Sequence, residues 1–151
     1  MKTLITFESS AFNTTESKDY FINPGCFGDD VAKWLIDELK SKGVEVDKEP
    51  SQEDFGWYFN FNLPEGRYCF VIGFKPESDN VKSRGTWVGW LEHKCGFISS
   101  VFGGRKRGIS QKAVEIINQI MMTSQNKIEN IIWHIQNDFD KTSEDFVNKK
   151  S

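Results

Sequence analysis

Glu53-Asp54-Phe55-Gly56-Trp57-Tyr58-Phe59-Asn60-Phe61 decides the fold. Phe55, Trp57, Phe59 and Phe61 occupy every second position, with Gly56, Tyr58 and Asn60 between them. A period of two places the four rings on one face of a β-strand and the more polar set on the other. One strand cannot bury that much aromatic surface alone, so the pattern calls for a sheet with helices over one side. The chain runs on through Leu63-Pro64-Glu65-Gly66, a hairpin turn, into Tyr68-Cys69-Phe70-Val71-Ile72-Gly73-Phe74. There Tyr68, Phe70, Ile72 and Phe74 repeat the device, and antiparallel pairing would set aromatic rows across the ladder.

Working outward, residues 2–8 alternate as a first strand, and Asn23-Pro24-Gly25 is a strong breaker. A helix follows, with Asp29 as its cap, Asp30 suited to the N-terminal dipole and Gly43 as its stop. Val31, Trp34, Leu35 and Leu39 form its apolar stripe. Beyond the hairpin, Thr86 to Glu92 is a third central strand and Phe97 to Phe102 a further candidate. Ser110 caps a second helix from Gln111, with Val114, Ile117, Ile120 and Met121 on its buried side. Residues 128–135 fit either a helix or a strand by spacing, and their β-branched density favours a last strand. The expectation is an α+β two-layer sandwich, β-α-β-β-β-α-β. Its mostly antiparallel sheet of about five strands carries two helices on one face, in a ferredoxin-like arrangement with extra hairpin strands. Residues 1–136 form one domain and 137–151 a polar tail.

At 151 residues, with 13 Phe and 5 Trp, the chain has the composition of a soluble globular domain with a sizeable core. It contains no apolar run long enough to span a bilayer, and its N-terminus does not read as a signal peptide. Cys26, Cys69 and Cys95 are odd in number and widely spaced, which argues for reduced thiols in a cytoplasmic setting. The net charge of −3 conceals an asymmetry: residues 1–54 carry 6 Lys/Arg against 12 Asp/Glu, and residues 67–127 carry 10 against 4. Folding mixes chain-order charge in space, unless the two halves present separate fields.

Pro24-Gly25, the helix with Ala32-Lys33-Trp34-Leu35, and Glu53-Asp54-Phe55-Gly56-Trp57 together resemble a group of small uncharacterised bacterial proteins. Those carry an E-D-W-G-W block after an N-terminal helix, and here Phe55 stands where the group has Trp. The resemblance covers roughly the first half and part of the later strands. It implies a bacterial, cytoplasmic, single-domain protein and brings no activity or catalytic residues.

Four constellations bear on chemistry. Glu53 and Asp54 beside Gly56-Trp57 would serve acid–base work or hold a cation only if one carboxylate were buried or coupled. Adjacent strand residues point to opposite faces, so capping of turn amides is the simpler reading. Gly103 to Gly108, with Arg105, Lys106 and Arg107 ahead of Ser110, suits an anion but lacks the P-loop order. Three clustered bases are only the minimum footprint of a nucleic-acid binder, so nucleic acid is not the expected partner. His93 and Cys95 share a strand face, yet nothing in the spacing brings further zinc ligands to them. Trp57, Tyr58, Trp87, Trp90 and Trp133 form core if both sheet faces are covered, or an exposed aromatic surface if one is bare.

The reading these residues favour is a non-catalytic bacterial binding protein, such as an immunity protein or inhibitor that neutralises a basic toxin domain. Asp29, Asp30, Asp37, Glu38, Glu53 and Asp54 would supply the negative patch and Trp57 an aromatic anchor. The alternative is a module for a phosphate-bearing small molecule or nucleotide, held by Arg105, Lys106 and Arg107. Neither reading calls for a cofactor, a metal or a membrane.

Overall fold

A computed structural model describes residues 1–22, 25–54, 56–78, 85–93, 109–124 and 126–135. Strand β1 spans Lys2–Glu8, and helix α1 spans Asp29–Ser41. Two short strands follow, β2 (Glu45–Val46) and β3 (Ser51–Glu53). Next come β4 (Gly56–Leu63), β5 (Gly66–Pro76) and β6 (Gly85–His93). Helix α2 (Gln111–Met122) and strand β7 (Glu129–Ile135) complete the described elements. The fold is α+β, with two helices and a 7-stranded open sheet in the order β2-β4-β5-β6-β1-β7, where β3 also pairs with β4.

Two strands more than expected come from the polar link around Pro50. β2 pairs with Phe61 and Asn62, and β3 pairs with Gly56 to Tyr58, so both line the same edge of β4. Asp47, between them, closes the corner: its carboxylate accepts from the Asn60 backbone N–H at 2.9 Å and from Asn60 Nδ2 at 3.0 Å. The ferredoxin-like expectation is also corrected. Every pairing is antiparallel, and β1 lies between β6 and β7, so no parallel neighbours of a βαβ unit are present among the described strands.

The two-residue period holds across the sheet. Strand register aligns Phe59 with Phe70 and Leu91, and Phe61 with Tyr68 and His93. Phe74 aligns with Trp87, which pairs in turn with Phe7. The rings of Phe59 and Phe70 lie 5.8 Å apart, and those of Phe74 and Trp87 4.8 Å apart. Phe7, Phe59, Phe61, Tyr68, Phe70, Trp87 and Leu91, with Phe74 packed against them, join Val31, Leu35, Ile36 and Leu39 of α1 and Ala113, Ile117, Ile120 and Met121 of α2 in one buried cluster, so both helices cover the same face. Phe55 lies outside the described residues; Trp57, Phe59 and Phe61, the other rings of its face, are buried.

The helix ends differ. Ser110 caps α2 as read, its hydroxyl accepting from the Ala113 N–H at 3.2 Å. In α1, Asp29 is the first helical residue and not the cap. Gly28 takes that position with φ 134° and no side-chain cap. A Cβ there would lie 3.2 Å from the Ile72 carbonyl oxygen and 3.3 Å from Trp57 Cδ1. Glycine therefore lets the N-terminus of α1 dock directly on the sheet. Gly43, at φ 78°, ends the helix as expected.

Candidate functional site

Five of the seven candidate partner-binding residues lie at one corner, where α1 starts, the loop of residues 9–22 and 25–28 folds back, and β3 turns into β4. Asp29 is 4% exposed and accepts a hydrogen bond from the Tyr20 hydroxyl. Its carboxylate also lies 3.9 Å from the Lys33 ammonium, one helical turn on. Lys33 sits 5.1 Å from the centre of the Tyr20 ring. The hydrogen bond to Asp29, together with burial and the charge of Asp29 and Asp30, pushes the Tyr20 phenol up to about 12. Asp30 accepts the Asn13 backbone N–H at 2.7 Å, and burial raises its carboxyl pKa above the usual range. Both aspartates therefore fasten the 9–28 loop to α1.

Trp57 is 5% exposed. Its indole N–H donates to the Cys26 carbonyl at 2.8 Å, and its ring packs against Phe21 at 5.4 Å and Tyr20 at 6.2 Å. The ring thus belongs to the joint between loop and sheet and is not offered outward as an anchor. Trp87 and Trp133 also lie on the helix-covered face, with Trp133 donating to Asn118 Oδ1 of α2 at 2.9 Å. Tyr58 and Trp90 are on the opposite face, half-buried, in a row with Val71, Leu4 and His134.

Of the remaining acidic candidates, Glu53 and Asp54 are exposed at the β3–β4 corner. They neighbour Cys26: its thiol meets the Glu53 carbonyl at 3.7 Å, and its pKa is raised by burial, with the Asp54 charge adding to the rise. Asp37 is exposed and Glu38 half-buried, farther along α1. At 1.5 Å per residue, Asp37 stands roughly 12 Å along the helix from Asp29. The structure therefore assembles Asp29, Asp30, Glu53, Asp54 and Trp57 at one corner and leaves Asp37 and Glu38 apart from it. Arg105, Lys106 and Arg107, Cys95, the strand expected over Phe97 to Phe102 and the tail 137–151 all lie outside the described residues.

His93 ends β6 with its ring 5.7 Å from that of Tyr68, on the covered face. Among the described residues no group of three or more His, Cys, Asp or Glu is placed to hold a metal ion. No described helix is long and apolar enough to cross a membrane. A cleft of about 550 Å³ opens at the far end of β5, lined by Glu8, Glu77, Glu129 and Lys75 among others; none of the described predicted site residues borders it.

Sequence reading missed the contributors from the 9–28 loop: Asn13, Tyr20 and Ile22. The Ile22 backbone N–H donates to Gln52 Oε1 at 2.7 Å, which ties the loop to β3. These residues sit in a polar, turn-rich stretch with no period, so their only signal is the isolated Tyr20-Phe21-Ile22 run ahead of the Asn23-Pro24 breaker. Set beside known protein families, characterised proteins and solved structures, the chain matches none.

Proposed function

We propose that the chain is a non-catalytic binding protein of the bacterial cytoplasm, in concrete form an immunity protein or inhibitor that neutralises a basic toxin domain. The observation that carries this reading is the β3–β4 corner. Glu53 and Asp54 are exposed there, on a backbone fixed by strand pairing, and exposed Asp19 lies in the loop tied to the same strand by Ile22. Two cations of the same region face carboxylates: Lys33 faces Asp29, and Lys18 lies 3.4 Å from Glu16. A corner with several exposed carboxylates favours a positively charged partner and speeds encounter with it, increasingly so as salt is lowered.

Two findings test the reading together. The gene should lie beside a reading frame that encodes a basic toxic domain, and the immobilised full chain should retain that protein from a host lysate at low salt and release it as salt rises. No such neighbour, and no basic protein retained, would refute it. The phosphate-ligand alternative depends on Arg105, Lys106 and Arg107. A rise in melting temperature with nucleotides or inorganic phosphate would favour it instead.

A further inference from the structure

We propose that Tyr20 and Ile22 form a preset apolar anchor that enters a pocket on the basic partner, with Asp19, Glu53 and Asp54 as the charged rim around it. The inference rests on the binding reading above and adds the contact that would supply its affinity.

Exposed apolar side chains are ordinary when scattered singly. This pair differs because the backbone that carries it is fixed on both sides. Phe21, between the two, turns inward and is buried against Phe27 at 6.0 Å and Trp57 at 5.4 Å. Its N–H closes a turn on the Lys18 carbonyl at 3.0 Å. The Tyr20 hydroxyl is held by Asp29 and the Ile22 N–H by Gln52. Just beyond, the Gly25 N–H donates to Ser17 Oγ at 2.9 Å. Phe21 thus acts as a peg, and its two neighbours are turned outward: Tyr20 is 54% exposed and Ile22 76%, the most exposed large apolar side chain among the described residues.

Ordering a loop at the moment of binding costs affinity, and a segment already held in its bound form avoids that cost. Tyrosine is also a frequent hot-spot residue, joining a broad apolar ring to a polar tip. The surroundings select the partner's charge. Asp19 precedes Tyr20 in the chain, and Gln52, which holds Ile22, leads directly into Glu53 and Asp54. Lys33, over the Tyr20 ring, already faces Asp29, and an apolar knob flanked by exposed carboxylates matches an apolar pocket bordered by lysines or arginines.

The test uses the full chain and three variants: Ile22→Ser, the double change Asp19→Lys with Glu53→Lys, and the control Asp37→Lys with Glu38→Lys. Each is immobilised against lysate of the native host at low and high salt. The retained protein is identified by mass spectrometry, purified, and titrated against each variant by calorimetry. Ile22 is so exposed that Ile22→Ser should leave the melting temperature unchanged, which keeps a lost interaction distinct from a lost fold. The expected result is a basic partner whose Kd rises about tenfold or more with Ile22→Ser. The Asp19/Glu53 change should weaken binding and flatten its salt dependence, while the α1 control binds as the parent does. A basic partner that binds Ile22→Ser as tightly as the parent overturns the anchor and leaves the binding reading standing. Retention of no basic protein overturns both. A parent chain that self-associates in sedimentation, and ceases to do so with Ile22→Ser, overturns the anchor in favour of a contact between copies.

Discussion

Replacing Trp57 with alanine removes the side chain that joins β4 to the loop before α1. The indole is 5% exposed, lies against Phe21 and Tyr20, and donates to the Cys26 carbonyl at 2.8 Å. Truncating a buried Trp to alanine costs about 3–5 kcal/mol, through lost transfer energy and the cavity left behind. Of that, about 1 kcal/mol belongs to the hydrogen bond. Trp57→Phe isolates it, since the phenyl keeps most of the packing and only the N–H and part of the volume are lost. For a domain of this size each kcal/mol moves the melting temperature by about 2–4 °C. Trp57→Ala should therefore melt about 6–20 °C below the parent, and Trp57→Phe only a few degrees below it. Urea unfolding followed by far-ultraviolet circular dichroism measures both, with an unchanged m-value confirming that the same two states are compared. A loss under about 1 kcal/mol for Trp57→Ala would show the ring to be solvent-facing and refute the packing argument.

Other predictions follow from the same corner. Gly56→Ala should cost about 1–3 kcal/mol, because an added Cβ would lie 2.3 Å from the Ile72 carbonyl oxygen, a backbone atom of the next strand that can only shift with the strand; denaturation equal to the parent would contradict the close approach. The Tyr20 phenol should titrate near 12 by NMR of its ring carbon, and Asp29→Asn should bring it down toward 10. An unfolded tyrosine releases its proton near 10, so between about 10 and 12 the folded state holds the extra proton and stability should fall as pH rises through that interval. Asp30 follows the same sign in acid. Its folded carboxyl pKa is raised, so its contribution is fullest below the ordinary carboxylate value and is lost as pH climbs through the folded one. Urea midpoints at pH 4 and pH 7 should accordingly show Asp30→Asn gaining on the parent as pH rises, and a parallel pair of curves would contradict it.

Most of the sheet was legible because a two-residue period is a strong signal when the inward side chains are large. Trp57, Phe59 and Phe61, then Tyr68, Phe70 and Ile72, face the helices as their spacing requires. Even the β-branched run at 129–135 falls into place as an edge strand beside β1. β2 and β3 were not legible: strands of two and three residues carry no period, and theirs are made largely of Glu, Gln and Ser. Pairing with β4 defines them, and that is a tertiary fact. The acidic candidates divided for a similar reason. Asp29 and Glu53 look alike as letters, yet Tyr20 and Lys33 close over the first and nothing in sequence order announces a contact nine residues back. The burial of Trp57 was hidden on the same ground, since one more neighbour, Phe21, covers it from a loop without periodicity.

Native-state hydrogen exchange of the intact chain, resolved to single amides by NMR, tests most directly whether the paired aromatic strands are the cooperative centre from which this corner is hung. Phe59, Phe61, Phe70 and Ile72 should exchange only through global unfolding, and the Ile22 and Asn13 amides should be protected by their side-chain acceptors while β2 and β7 open sooner. Amides of β4 exchanging as fast as those of β2, or an Ile22 amide exchanging at the rate of an unstructured peptide, would contradict it.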